Sequence, residues 1–254
     1  MSDHDRELAR AFDSQAARFE RAPVQSDPVS LARLLRLAQF PADALVLDAG
    51  CGPGLVAQAI LESGCRVLGV DLSHEMVERA RKRCHAFGDR ARFIKGSLHD
   101  SAVDELGPFD ASLSRYVLHH VIEPRAFLAR QTALVRSGGI VVVSDHLADP
   151  NPDRANLHHA IEVGRDRTHA HNLTAGAIVD LMAAVGLVDL QMSEESFFLD
   201  FDEWFDRGSP AESKTTIRDL LLSAPPIRGF APTTLESGAI RIDCVRLIAR
   251  GVKP

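Results

Sequence analysis

Residues 46–54 read Val-Leu-Asp-Ala-Gly-Cys-Gly-Pro-Gly, and no other stretch of the chain restricts its fold so tightly. An apolar run ends in the acidic Asp48. Glycines follow at 50, 52 and 54, and a helical pattern opens at Leu55. That order is strand, tight turn, helix: the first βα unit of a nucleotide-binding α/β fold. Glycine tolerates positive φ and lets backbone approach a ligand where a Cβ would clash. The free N–H groups at the helix start then face an electronegative ligand group. A dinucleotide fingerprint needs a further glycine three residues after the second, and Leu55 stands there instead. A second acid, Asp71, closes the next apolar run, where a carboxylate can accept hydrogen bonds from a ribose diol.

D-x-G-x-G-x-G followed by an acid at the end of the next strand resembles motifs I and II of class I S-adenosylmethionine (SAM) methyltransferases. The resemblance implies SAM as cofactor and S-adenosylhomocysteine (SAH) as product. It gives Gly50, Gly52 and the neighbourhood of Asp48 to the methionine portion, Asp71 to the ribose, and Leu72 and Met76 to the adenine. Cys51 and Gly54 share the turn, with Cys51 a small filler rather than a nucleophile. Ser97 stands where the family usually has an Asp for the adenine amino group, and Leu98 offers a backbone N–H to the ring. Ser114, at the end of the fourth strand, and Arg115, just after it, complete the cofactor set.

The remaining pattern fits the same class. Strands are predicted at 45–48, 66–71, 91–98 with its turn, 109–114, 140–144, 188–192 with 197–199 as an extension, and 239–250. Helices are predicted at 1–22, 28–37, 55–63, 73–87, 124–135, 156–166, 174–185 and 201–223, the last broken at 208–210. The expected fold is α/β: a Rossmann-like, seven-stranded, mostly parallel sheet with a terminal antiparallel hairpin and a helical cap. One domain is expected over 1–254, with a core at about 40–150, 174–200 and 238–252. The cap comprises 1–38, 150–172 and 201–232. The first helix, with Phe12 and Phe19, resembles the lid segment of many small-molecule methyltransferases, which carry Tyr where Phe19 stands. An ordinary packing helix fits the same letters.

Histidine titrates near neutrality and is the obvious base. His119 and His120 follow the fourth strand, at the carboxyl edge where such folds bind ligand. Neighbours on a helical turn point about 100° apart, so one of the two faces the pocket, and His120 is favoured as the catalytic residue. His119, Asp145 and His146 lie at the same edge and are placed against substrate. Further on, Glu162-x-x-Arg165-Asp166-x-x-His169 puts Glu162, Asp166 and His169 on one face of a helix. The pattern is similar to one in a UbiE-like (methyltransferase type 11) subgroup, which also has paired histidines after strand four. It makes His169 a second catalytic base oriented by a carboxylate of that face, with Asp166 in the catalytic set and Arg165 holding an anionic or carbonyl group of the substrate. Metal ligation by His158, Glu162, Asp166 and His169 fits the spacing, as does a solvated helix face or a salt-bridge network; no metal is assigned. Phe197, Phe198, Phe201, Trp204 and Phe205 fit an apolar pocket or plain core.

The net charge of −6 and the lack of a basic run speak against nucleic acid. So does the absence of the Pro-Pro-Tyr of nucleobase methyltransferases. No apolar run approaches membrane-span length, and the charged N-terminus carries no signal core. The four scattered cysteines fit reduced thiols in a cytoplasm. The expected activity is methyl transfer from SAM to a small molecule at O, N or C, with a homodimer left open. A SAM-fold cyclase or decarboxylase, a nicotinamide oxidoreductase and a protein methyltransferase remain alternatives.

Overall fold

The computed structural model describes residues 2–254. Its strands are β1 (Leu45–Ala49), β2 (Arg66–Asp71), β3 (Ala91–Lys95), β4 (Phe109–Arg115), β5 (Val135–His146), β6 (Val188–Asp200), β7 (Phe230–Thr234) and β8 (Ile240–Val252). They form one sheet in the order β3-β2-β1-β4-β5-β8-β6, with β7 also against β8. The first five strands are parallel, while β8 runs antiparallel to β5, β6 and β7. The order reverses between β1 and β4, and ligands of such sheets bind outside the carboxyl ends at that reversal.

The helices are α1 (Asp3–Arg21), α2 (Pro23–Ser26), α3 (Pro28–Ala38), α4 (Leu55–Glu62), α5 (His74–Arg83), α6 (Ser101–Asp104), α7 (Pro124–Leu134), α8 (Pro152–Arg165), α9 (Ala175–Ala184), α10 (Phe201–Arg207) and α11 (Lys214–Ser223). β1 reads as a near-continuous apolar run because a central parallel strand is covered on both faces. Val46 packs with Ile60, Val67, Val77 and Leu113 in one core cluster, and Leu47 with Leu68, Val70 and Phe109 in another. The half of the sheet around β8 carries α7 and α9 through Val143, Ile178, Met182 and Leu247. A further core joins α8, α10 and α11 to β7 and β8 through Ile161, Trp204, Phe205, Ile217 and Phe230.

Four features depart from expectation. The sheet has eight strands, not seven, because Phe230–Thr234 is a strand rather than part of the cap. β8 is long enough that β5 covers residues 246–252 and β7 covers 240–244. β7 carries Pro232, which a strand with a single neighbour tolerates. β6 is one strand with a register shift between Val188 and Gln191, rather than two pieces. α3, grouped with the cap by sequence, sends Leu34 and Ala38 into the sheet core. Finally, α8 stops at Arg165, so Asp166 and His169 do not share its face. Asp166 turns its Oδ1 to the Thr168 N–H (3.1 Å) and hydroxyl (2.7 Å), a local bond that competes with another helical turn.

Candidate active site

The glycine turn is held from both sides. Gly50 has φ +77°, and a Cβ there would stand 2.5 Å from Val117 Cγ2, across the strand reversal. Gly54 has φ +81°, and its Cβ would stand 2.9 Å from Ala80 Cα. Gly50 therefore packs against the segment after β4, and Gly54 lets α4 approach α5. The Gly52 N–H donates to Asp71 Oδ2 (2.9 Å) and the Ser73 N–H to Asp71 Oδ1 (2.8 Å). Ser73 also caps α5, accepting from the Met76 N–H at 3.1 Å.

Around this turn lies a cavity of about 560 Å³. Asp48, Gly50, Cys51, Gly52, Asp71, Leu72, Met76, Ser97, Leu98 and Arg115 line it, as the sequence predicts. Gly54 and Ser114 do not. Gly54 serves packing, and the buried Ser114 hydroxyl lies 3.4 Å from Gln131 Oε1, facing away from the cavity. Arg115 reaches the cavity wall, but its guanidinium donates to the carbonyls of Val24 (3.1 Å) and Gln25 (2.9 Å), so it ties down the chain around α2. Asp48 is 1 % exposed and its Oδ2 has no partner. Burial, with the charge of Asp71 adding to it, pushes its carboxyl up to about 7. Burial likewise raises Asp71 to about 6, against the pull of its two backbone hydrogen bonds.

α1 covers the cavity. Leu8, Phe12 and Phe19 line it, and Phe12 meets His120 edge-on at 5.0 Å. Asp13 accepts from Ser73 Oγ (2.6 Å) and the Glu75 N–H (3.1 Å). Glu20 pairs with Arg83 at 2.8 Å, and Arg83 Nε donates to the Pro53 carbonyl in the glycine turn. The helix is thus fastened both to α5 and to the loop it covers.

Beyond the cavity lies a second, smaller compartment of about 30 Å³. Phe19, Gln25, Tyr116 and His120 line both spaces and form the partition between them. Sequence reasoning missed Gln25 and gave no role to Tyr116 within the 115–121 segment it placed beside cofactor and substrate. Tyr116 is the only tyrosine in the chain and takes φ +58°, a strained conformation for a bulky residue. Its ring stacks on His146 at 4.6 Å, and its hydroxyl meets the buried Arg246, which also holds Glu195 (2.8 Å) and Ser30.

The compartment rearranges the predicted catalytic roles. His119, expected only as a substrate contact, pairs with a carboxylate: its Nδ1 is 2.6 Å from Asp145 Oδ1. Burial alone would lower its pKa, but the charge and hydrogen bond of Asp145 outweigh that and leave it raised. The same pair holds Asp145 down at about 2 against its burial. The other histidines go the opposite way. Burial, with the charge of His119 adding to it, lowers His120 to about 4 and His146 to about 3. His169 falls to about 2, again chiefly by burial.

Of the two carboxylates expected beside His169, Asp166 turns to other partners, and Glu162 is the one whose charge acts on His169. Asp166 holds Thr168, whose carbonyl takes the Nδ1 of His120 at 3.0 Å, so Asp166 orients His120 through Thr168. His169 keeps a buried Nε2 without a partner, and its low proton affinity does not suit a base. Arg165 is corrected as well. Its Nε and Nη2 donate to the Trp204 carbonyl (2.8 and 2.7 Å) and its Nη1 faces Asp166, which leaves the guanidinium committed to the scaffold. Among the described residues, no group of three or more His, Cys, Asp or Glu stands in a metal-holding arrangement. Phe201, Trp204 and Phe205 are core, and Phe198 is exposed.

Comparison with known proteins places the fold in a known family. The family model of the methyltransferase domain matches residues 19–192. A ubiquinone biosynthesis O-methyltransferase of Vibrio parahaemolyticus is 30 % identical over 141 residues, 53 % of this chain and 60 % of that protein. The chain thus spans about three-fifths of the length of such curated relatives. The crystal structure of the YcgJ protein of Bacillus subtilis superposes with a TM-score of 0.78 at 25 % identity, covering 89 % of this chain and 98 % of that one. The geranyl diphosphate C-methyltransferase of Streptomyces coelicolor, solved with Mg2+, geranyl diphosphate and SAH, shares the fold: TM-score 0.66, 14 % identity, 100 % and 99 % coverage. With a family match that runs from the end of α1 into β6, through the glycine turn and the paired histidines, the chain belongs to the methyltransferase domain family.

Proposed function

We propose that the protein transfers a methyl group from SAM to a small-molecule acceptor, with the cofactor in the larger cavity and the reacting group of the acceptor in the smaller compartment. The observation that carries this reading is the shared partition. One wall of four residues separates a cofactor-sized cavity from a chamber lined by His119, whose Nδ1 is paired with Asp145 behind it.

The residues present fit the cofactor. Asp48 offers a buried carboxylate with an empty Oδ2 to the methionyl ammonium. Asp71, fixed by Gly52 and Ser73, accepts from the ribose diol. Leu72, Met76 and Leu98 supply apolar surface for the adenine. SAH bound in the similarly folded Streptomyces coelicolor enzyme supports the choice. When bound, SAM supplies a methyl on a sulfonium, which is already a good leaving group.

The chain then has three tasks. α1 and α2 border both spaces and α8 and α10 border the smaller one, and together they exclude water. The partition of Phe19, Gln25, Tyr116 and His120 aligns acceptor and methyl. His119, oriented by Asp145 through Nδ1, has Nε2 free to take the proton of the nucleophile.

No helix among the described residues is long and apolar enough to cross a membrane. The four cysteines are buried and unpaired, which suits work in the cytoplasm. Product analysis tests the reading: SAH must appear in step with a methylated acceptor. SAM consumption without a methylated product would transfer the assignment to a cyclase or decarboxylase.

A further inference from the structure

The turn after β3 bears on how the cofactor's base is recognised. The sheet sets the carboxyl ends of β3, β2, β1 and β4 side by side in that order. Asp71 ends β2, the glycine turn follows β1, and the paired histidines follow β4. A cofactor with its ribose on Asp71 and its sulfonium toward β4 therefore lays its base on the β3 side. Leu72, Met76 and Leu98 line the cavity there, and so do Ser97 and His99 of the turn itself.

That turn is braced from three directions. The Gly96 N–H donates to the Asp71 carbonyl at 2.9 Å, which ties the turn to the ribose site. Arg130 Nε donates to the Leu98 carbonyl (2.8 Å), while its two Nη groups hold Asp104 (2.8 and 2.9 Å). The carboxylate of Asp100 is spent inside the turn. Its Oδ2 accepts from the Ser97 N–H at 2.9 Å and occupies the space that a Cβ on Gly96 would need. Neither Asp100 nor Asp104 lines the cavity. The turn thus presents two polar side chains to the base, the half-buried Ser97 and the exposed His99, and no carboxylate. The Ser97 hydroxyl accepts from the His99 N–H at 3.2 Å, which leaves it a second lone pair and its own proton. The acids that do line the cavity stand elsewhere: Asp48 and Asp71 in the cofactor roles above, Asp5 on α1 with its Oδ2 on the Ser2 N–H, and Glu123 just before α7.

Resting on the cofactor assignment above, we infer that Ser97 is a specificity-determining residue. It meets the 6-amino group of the adenine with a neutral hydroxyl, so the site tolerates cofactors altered at that position. A hydrogen bond between neutral groups contributes less than one to a charged group. Losing the amino group therefore costs less than about tenfold in affinity, where a carboxylate at this position would make the loss larger.

The test is calorimetric titration with SAH and with its 6-deamino analogue, in which purine replaces adenine and keeps N1 and both ring faces. The analogue is expected to bind the wild-type protein within about tenfold of SAH. Ser97→Ala should weaken SAH alone and bring the two ligands to within about twofold of each other. Ser97→Asp should widen the gap beyond about tenfold. The alanine comparison decides even if a second carboxylate beside Asp100 keeps Ser97→Asp from folding. A wild-type gap above about tenfold would give the amino group to an acid such as Glu123 or Asp5. A gap that Ser97→Ala leaves unchanged would take the base edge away from Ser97. Either result overturns this inference alone, whereas failure of SAH itself to bind overturns the cofactor assignment with it.

Discussion

Lowering the pH from about 7.5 to about 5.5 is expected to weaken SAH binding by roughly 25-fold through Asp48 alone. Asp48 is buried beside Asp71, and its carboxyl sits at about 7 in the ligand-free protein because burial dominates and Asp71 reinforces it. Arg115 and the Ala57 N–H at the start of α4 pull the other way and lose. An ammonium group on the ligand stabilises the carboxylate form. Below about pH 7 the protein must therefore give up a proton to bind, and affinity rises with pH until that proton is already gone. The ionised fraction is about 0.76 at pH 7.5 and about 0.03 at pH 5.5, a ratio worth about 1.9 kcal/mol. Asp71, at about 6, adds roughly fourfold over the same range if the ribose needs its carboxylate ionised. Calorimetry near pH 6 in two buffers of different ionisation enthalpy measures the protons released, and about one is expected from Asp48. Asp48→Asn should bind SAH more weakly at neutral pH and lose that proton release. An affinity that stays flat over this range, with heats independent of buffer, would refute the role given to Asp48.

Other outcomes follow from the same geometry. Without ligand, Asp48 costs the fold nothing below about pH 4, where both folded and unfolded states hold its proton; the cost grows as pH rises from about 4 to about 7 and stays constant above that. Asp48→Asn should then stabilise the ligand-free protein at about pH 8 by around 1 kcal/mol, read by denaturant unfolding. His119→Gln and Asp145→Asn should each cut turnover by roughly 10²–10⁴-fold with SAH affinity nearly intact, and full activity in both would remove the pair from catalysis. Because the pKa of His119 is raised, the acidic limb of the rate profile should lie above the ordinary histidine value, and Asp145→Asn should move it down. Gly50→Ala combines a left-handed φ with a 2.5 Å clash on Val117, and it should abolish SAH binding in a protein whose sheet still folds, as circular dichroism would show.

The cofactor half of the site was legible in the sequence because its signal is local. The glycines, Asp48 and Asp71 sit at fixed offsets from two apolar runs, and a parallel sheet turns those offsets into one cavity. The acceptor half was not, because distant segments supply it: Phe19 and Gln25 from the N-terminus, His146 from β5, Glu162 from α8 and Arg207 from α10. Spacing brought His119, His120, His146 and His169 to one compartment but gave some of them partners they do not have in the structure. Asp166 lies one turn from His169 only if the helix continues, and the bonds from Asp166 to Thr168 compete with that turn. Arg165 has the right charge for an anion, but the Trp204 carbonyl takes two of its donors, which no local pattern reveals. β7 escaped because a five-residue run containing proline carries little strand signal until β8 lies beside it. Tyr116 could have been noticed as the single tyrosine in the segment after strand four, but not its left-handed backbone.

The most direct test is calorimetric titration of the wild-type protein with SAH, with NAD as the control. Binding of SAH and none of NAD is the result this account predicts, with Asp71→Ala in a folded protein weakening it strongly. Binding of NAD, or a folded Asp71→Ala protein with unchanged SAH affinity, would contradict it.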